Sequence, residues 1–205
     1  ADVASISGDN FGTYRTNLIT QSRIPSPLGA VGVDNVWSAD AVTAPTVQDY
    51  AALSPDGTFS ATKIKFNGVP QTSGSHAIGF KVDPPLANYT PVTFSFYART
   101  DTGTCDVKTK MGRNATTSSF PTLTITDTWQ RFEAVDTGLN AGNTKAYFGL
   151  NIDSNQVGKT IYLWGLQVES GNGTGATNFI PSTDTFTSRL GNATYVDSNG
   201  LIKTA

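Results

Sequence analysis

One cysteine (Cys105), one histidine (His76) and one methionine occur in 205 residues. A single cysteine excludes an internal disulfide and any zinc site built from several thiolates, and a single histidine excludes a His-rich metal cluster. Glutamate is scarce as well: it occurs only at Glu133 and Glu169, so 14 of the 16 acidic residues are Asp. Glu suits helix interiors and Asp suits turns, so this bias predicts an all-β chain with many loops. Charge is thin, 15% of the residues, below the roughly 25% of an average soluble domain. With 14 Lys and Arg against 16 Asp and Glu, and no basic block, the net charge of −2 argues against nucleic acid as a partner. No apolar run approaches the roughly 18 residues a membrane-crossing helix needs, so no membrane insertion is expected. The opening ADVASISGDNFGTY lacks the basic and apolar regions of a signal peptide.

Aromatic residues, by contrast, are plentiful: Phe 11, Tyr 7 and Trp 3, within an apolar content of 38%. They supply a core and separate this chain from disordered ones, which combine low hydrophobicity with high charge. Residues 1–16 read as a polar N-terminal arm, 17–170 as one β-sandwich domain, and 171–205 as a loop-rich tail. The tail is too small for a core of its own and is expected to pack on the sandwich or on a neighbouring subunit. In QSRIPSPLGAVG, two prolines and two glycines predict a surface loop. Strand-like segments follow at 41–47, 60–66, 75–82, 91–100, 104–112, 120–126, 129–137, 144–152 and 159–169, with short candidates at 194–196 and 201–203.

Period-two alternation separates these segments from helices. TFSFYAR places Phe94, Phe96 and Ala98 on one face and Thr93, Ser95, Tyr97 and Arg99 on the other. KAYFGLNI opposes Ala146, Phe148, Leu150 and Ile152 to Lys145, Tyr147, Gly149 and Asn151. IYLWGLQVE groups Tyr162, Trp164, Leu166 and Val168, with apolar Ile161 and Leu163 behind them. Phe94, Phe96, Phe148, Leu150 and Trp164 are therefore expected to point inward. Only 49–53 offers a helical turn. The pattern predicts an antiparallel two-sheet sandwich, a jelly roll.

Motifs for catalysis are weak. Gly171-Asn172-Gly173-Thr174-Gly175 follows a strand, yet the helix that a dinucleotide turn needs is missing, so it reads as a linker. His76 lies in SHAIGF without a nucleophile elbow in the chain, and reads as an ordinary structural or surface histidine. The Asp residues sit mostly in turns such as Ser54-Pro55-Asp56-Gly57, where turn chemistry explains them; those turns also offer oxygens for a structural calcium ion, and no cofactor is expected. Cys105 reads as a small core hydrophobe. The aromatics point to a ligand. A sugar ring has an apolar C–H face and a hydroxyl rim, so a carbohydrate binder sets exposed aromatics beside polar side chains. Tyr97 with Arg99, Tyr147 with Asn151, and Trp37 after a Gly-rich loop are the candidate carbohydrate-binding residues, set against the plainer reading, which the residues favour, that neighbouring loops or another subunit cover them.

TIYLWGLQVESG followed by ATNFIPSTDTFTSR resembles a segment common in bacteriophage structural proteins, where a strand of the form YLWGAQLEEG precedes a Tyr-Ile-Pro-Thr turn and a Thr-Arg pair. TYRTNLIT, SPDGTFSATKIKF, VTFSFYART and TWQRFEAV agree in order, and the closing ATYVDSNGLIKTA is similar to the link that follows this domain. The resemblance runs from Arg15 onward. Here the family's acidic pair is reduced to Val168-Glu169, and no sugar-binding set matches residue by residue. What the resemblance implies is a jelly roll similar to the carbohydrate-binding modules of xylanases and cellulases, carried by a non-enzymatic virion protein: a capsid decoration protein, head fibre or tail fibre. It implies a place on the phage particle surface, other virion proteins as partners, a homotrimer, and host-surface glycans as ligands. The alternative is a carbohydrate-binding module of a polysaccharide-degrading enzyme. A start at Ala1 is what removal of an initiator Met leaves, which favours a short accessory head protein over a long tail fibre.

Overall fold

The computed structural model describes residues 17–72, 75–82, 91–113, 116–136, 146–170, 175–180, 194–196 and 202–204. The 1–16 arm, the Gly171–Thr174 run and most of the tail lie outside them. The strands are β1 (Trp37–Ser38), β2 (Thr46–Ala52), β3 (Ala61–Lys65), β4 (Ile78–Val82), β5 (Val92–Thr100), β6 (Cys105–Arg113), β7 (Thr116–Ile125), β8 (Gln130–Asp136), β9 (Ala146–Asn151) and β10 (Thr160–Ser170). Two five-stranded sheets result, one ordered β1-β4-β9-β6-β7 and the other β2-β3-β10-β5-β8. Every ladder in them is antiparallel. The chain crosses repeatedly between the sheets, so the protein is an all-β sandwich of the jelly-roll class. β11 (Thr194–Val196) and β12 (Ile202–Thr204) form a separate two-stranded ladder.

Alternation decides which side chains meet between the sheets. Phe94, Phe96 and Ala98 of β5 are fully buried, and Phe148 and Leu150 of β9 face them. Phe94 joins the layers, with its ring 5.2 Å from Phe96 and 6.1 Å from Phe148. The 21–32 loop also feeds the core through Ile24, which is fully buried. Cys105 is buried, and desolvation pushes its thiol up to about 11, leaving it protonated and inert.

Two irregularities overturn expectations. Trp164 was expected to share an inward face with Leu166 and Val168. A bulge between Trp164 and Gln167 inserts one residue opposite β5, and Gly165 adopts φ 62 there, a left-handed conformation that glycine takes without steric cost. The extra residue flips the parity of the strand, so Ile161, Leu163, Leu166 and Val168 are buried in the core while Tyr162 and Trp164 turn outward. In β2, the 49–53 turn expected to be helical is strand instead. Its register shifts between Gln48 and Ala52 around Tyr50 at φ 50, and β2 begins at Thr46, later than the expected 41–47 segment.

Candidate ligand-binding face

The five predicted binding residues are divided among three places. Trp37 is in the core: it is 1% exposed, its ring lies 5.2 Å from Phe80, and its indole nitrogen donates to the Gln21 carbonyl at 2.9 Å. The expectation that it is an exposed aromatic is corrected by that burial. A buried indole needs an acceptor, and the neighbouring loop supplies it. Tyr97 and Arg99 lie on the outer face of β5, and Tyr147 and Asn151 on the outer face of β9, so the two pairs are on opposite sides of the sandwich.

The Tyr97 side is packed by the protein itself. Trp164 meets Tyr97 edge-on at 5.4 Å and Phe179 at 4.6 Å, and its indole nitrogen donates to Ser60 at 3.1 Å. Arg99 lies 4.3 Å from the Tyr162 ring and 5.5 Å from Trp129, and Arg131 lies 5.6 Å from Tyr97. Residues 175–180 pack on the β10 and β8 part of this face. Glu169 accepts from the Thr177 amide at 3.0 Å and hydroxyl at 2.5 Å. Gln167 accepts from the Ile180 amide at 2.6 Å, and Arg131 donates to the Thr177 carbonyl at 2.5 Å. Asn17 donates to the carbonyls of both Leu166 and Ile180. The Gln-x-Glu after the tryptophan and the Asn-Phe-Ile further on are thus the two halves of one clasp.

The outer face of β4, β9 and β6 is built differently. Gly79, Gly149 and Lys110 are neighbours across these strands. The two glycines leave a trough filled by the His76 ring: a Cβ at either position would stand 2.8 Å from ring atoms. Tyr147 stacks beside that ring at 6.2 Å. Lys81 holds the 29–36 loop to the sheet by pairing with Asp34 and donating to the Gly32 carbonyl at 2.8 Å, and its ammonium lies 5.8 Å from the Tyr147 ring. Asn151 accepts from the Ala77 amide at 2.9 Å and donates to the Ser75 carbonyl at 3.2 Å. Ser75 in turn donates to Asp40 at 2.5 Å. The face offers a phenol ring and an imidazole side by side within a polar frame, the combination that suits the two-sided chemistry of a sugar.

Burial keeps the imidazole of this face uncharged at neutral pH. Burial, aided by Lys110 and opposed by Asp40, lowers His76 to about 4, so the imidazole is neutral there. Desolvation also lowers Lys110. Among the described residues no group of three or more His, Cys, Asp or Glu could hold a metal ion, and no helix is long and apolar enough to cross a membrane.

The outward placement of Tyr147 and Asn151 was legible from alternation, whereas the contact of Tyr147 with His76 and the place of Lys81 and Lys110 beside it were not. The available signal was the glycine inside each of two strands, SHAIGF and AYFGLN. A glycine mid-strand marks a close approach by another group, and here that group is the single histidine.

No family model matches the chain, and no curated protein matches it by sequence. Among solved structures, it is similar to the xylan-binding CBM22-1 domain of Paenibacillus barcinonensis Xyn10C, at 12% identity and a TM-score of 0.49, over 77% of this chain and 92% of that one. It is similar to the enzymatically active domain of bacteriophage CBA120 tailspike protein 4, at 12% identity and a TM-score of 0.49, over 66% of this chain and 19% of the tailspike. The CBM22-1-GH10 modules of Clostridium thermocellum Xyn10B, solved with xylohexaose, match at 12% identity and a TM-score of 0.48, over 69% of this chain and 27% of that one.

Proposed function

We propose that this chain is a non-enzymatic surface protein of a phage virion, a capsid decoration protein, head fibre or tail fibre, and that it contacts host-surface glycans through the outer face of β4, β9 and β6. The observation that carries the binding part is the Tyr147–His76 pair at 6.2 Å above a glycine trough, framed by Lys81 and Asn151. The opposite face, where Tyr97 and Arg99 lie, serves packing in this reading, because the chain's own 175–180 segment occupies it. The virion part is supported by the ordered sequence resemblance, whose most specific motif forms the clasp around Gln167 and Glu169. The protein assembles as a homotrimer with other virion proteins as partners. Stacking on a shallow sheet face buries little area, so each site is weak and attachment depends on many copies.

Purified phage particles test the virion part: antibody labelling and mass spectrometry should find the chain at many copies per particle, and its absence would refute that placement. A glycan array probed with multimerised protein tests the binding part, and silence across the array would leave a purely structural role.

A further inference from the structure

The outer face of β4, β9 and β6 carries three lysines, and two have carboxylate partners. Lys81 pairs with Asp34. Lys108 donates to both oxygens of Asp153, at 2.9 and 2.8 Å. Lys110, in register with Gly149, is 4% exposed and among the described residues makes one long hydrogen bond of 3.4 Å, to the Ser75 carbonyl. Asn151 uses the same oxygen. An ammonium has three donors, and a buried charge without a counter-ion is costly. Asp40 is engaged by Ser75 and forms no ion pair with Lys110.

A second unmet group lies beside the first. Nδ1 of His76 is buried without a hydrogen-bond partner, and a methyl on Gly149 would stand 2.8 Å from it. Native interiors rarely leave such groups without partners, and here an ammonium with one long hydrogen bond and an imidazole nitrogen with none lie on the same face. A lysine set in low-dielectric surroundings projects its positive potential further than one in water, so an anionic group complements this spot.

We propose that this face selects acidic glycans, with a uronate-type carboxylate drawn to the Lys110 ammonium while the sugar ring rests against Tyr147 and His76. The inference rests on the reading that this face binds glycans, and it adds the substrate class. A neutral sugar offers hydroxyls to Asn151 but nothing to balance the charge. Lys81 and Lys108 contribute little to the preference, since each already has its carboxylate.

Oligomers of glucuronate, galacturonate and mannuronate, each paired with its methyl ester, separate charge from shape. Multimerised protein should bind the free acids at least tenfold more tightly than the esters. Lys110→Met and Lys110→Gln should abolish that difference while retaining the thermal midpoint, and Lys108→Met should keep it. The carboxylate should also raise the imidazole pKa of His76, read from its ring proton shifts, by offsetting Lys110. Equal binding of acids and esters, or an acid preference surviving in both Lys110 variants, overturns the proposal. Binding confined to sulfated or phosphorylated polymers overturns the carboxylate assignment. Neutral glycans bound through Tyr147 without acid preference overturn this inference alone, and failure of every glycan overturns the underlying reading too.

Discussion

His76 sits on two glycines because nothing larger would leave room for its ring, and that placement has a measurable consequence. Its pKa is lowered from 6.5 to about 4 in the folded chain, so as pH falls the unfolded chain takes up the proton first. Stability from this residue is therefore complete above about pH 6.5, declines toward pH 4 and changes no further below it, a loss of up to about 3 kcal/mol. Denaturant melts of wild type and His76→Gln between pH 7 and pH 4 isolate the effect: wild type should lose its margin over the variant across that window, and a constant margin would refute the shift. In the core, Phe96 is fully buried between Phe94 and Phe132. Phe96→Ala should cost roughly 3–5 kcal/mol, and a loss under about 1 kcal/mol would place the ring elsewhere.

At the scale of elements, the clasp on 175–180 joins β10 to the segment after it. Gln167 and Glu169 are buried on the outward side of β10, at 0% and 1% exposure, where polar groups persist only if hydrogen bonded. Gln167→Ala removes the acceptor of the Ile180 amide, so hydrogen exchange at Ile180 should quicken at least tenfold while the amides of β5 keep their protection. Unchanged exchange at Ile180 would show that the segment is held by other contacts. The same strand shows what the sequence conceals. Strict alternation put Trp164 with Leu166 and Val168, and one left-handed glycine reversed the first half of the strand relative to the second. The Trp-Gly dipeptide was visible, but a bulge and a plain glycine look alike until the partner strand is known. In β5 and β9, which carry no inserted residue of their own, Phe94, Phe96, Phe148 and Leu150 fell inward as alternation required. Trp37 failed for a different reason. Its burial depends on Phe80 and on the Gln21 carbonyl, both remote in sequence and outside any local pattern.

For the whole molecule, the sandwich buries one face of each sheet in the core and treats the two outer faces unequally. One is occupied over β10 and β8 by the chain's own segment around Phe179, and the other carries Tyr147, His76 and Asn151. Light scattering on the full chain at tens of micromolar should return a trimer, and a strict monomer would refute self-assembly away from the virion. In the proposed reading the β4–β9–β6 face, and not the β10–β5–β8 face, contacts glycans. That choice of face is tested most directly by probing one glycan array with equally multimerised wild type, Tyr147→Ala and Arg99→Ala. Wild type and Arg99→Ala should give signal, and Tyr147→Ala should lose at least tenfold. Undiminished signal in Tyr147→Ala, or a loss confined to Arg99→Ala, would contradict that reading.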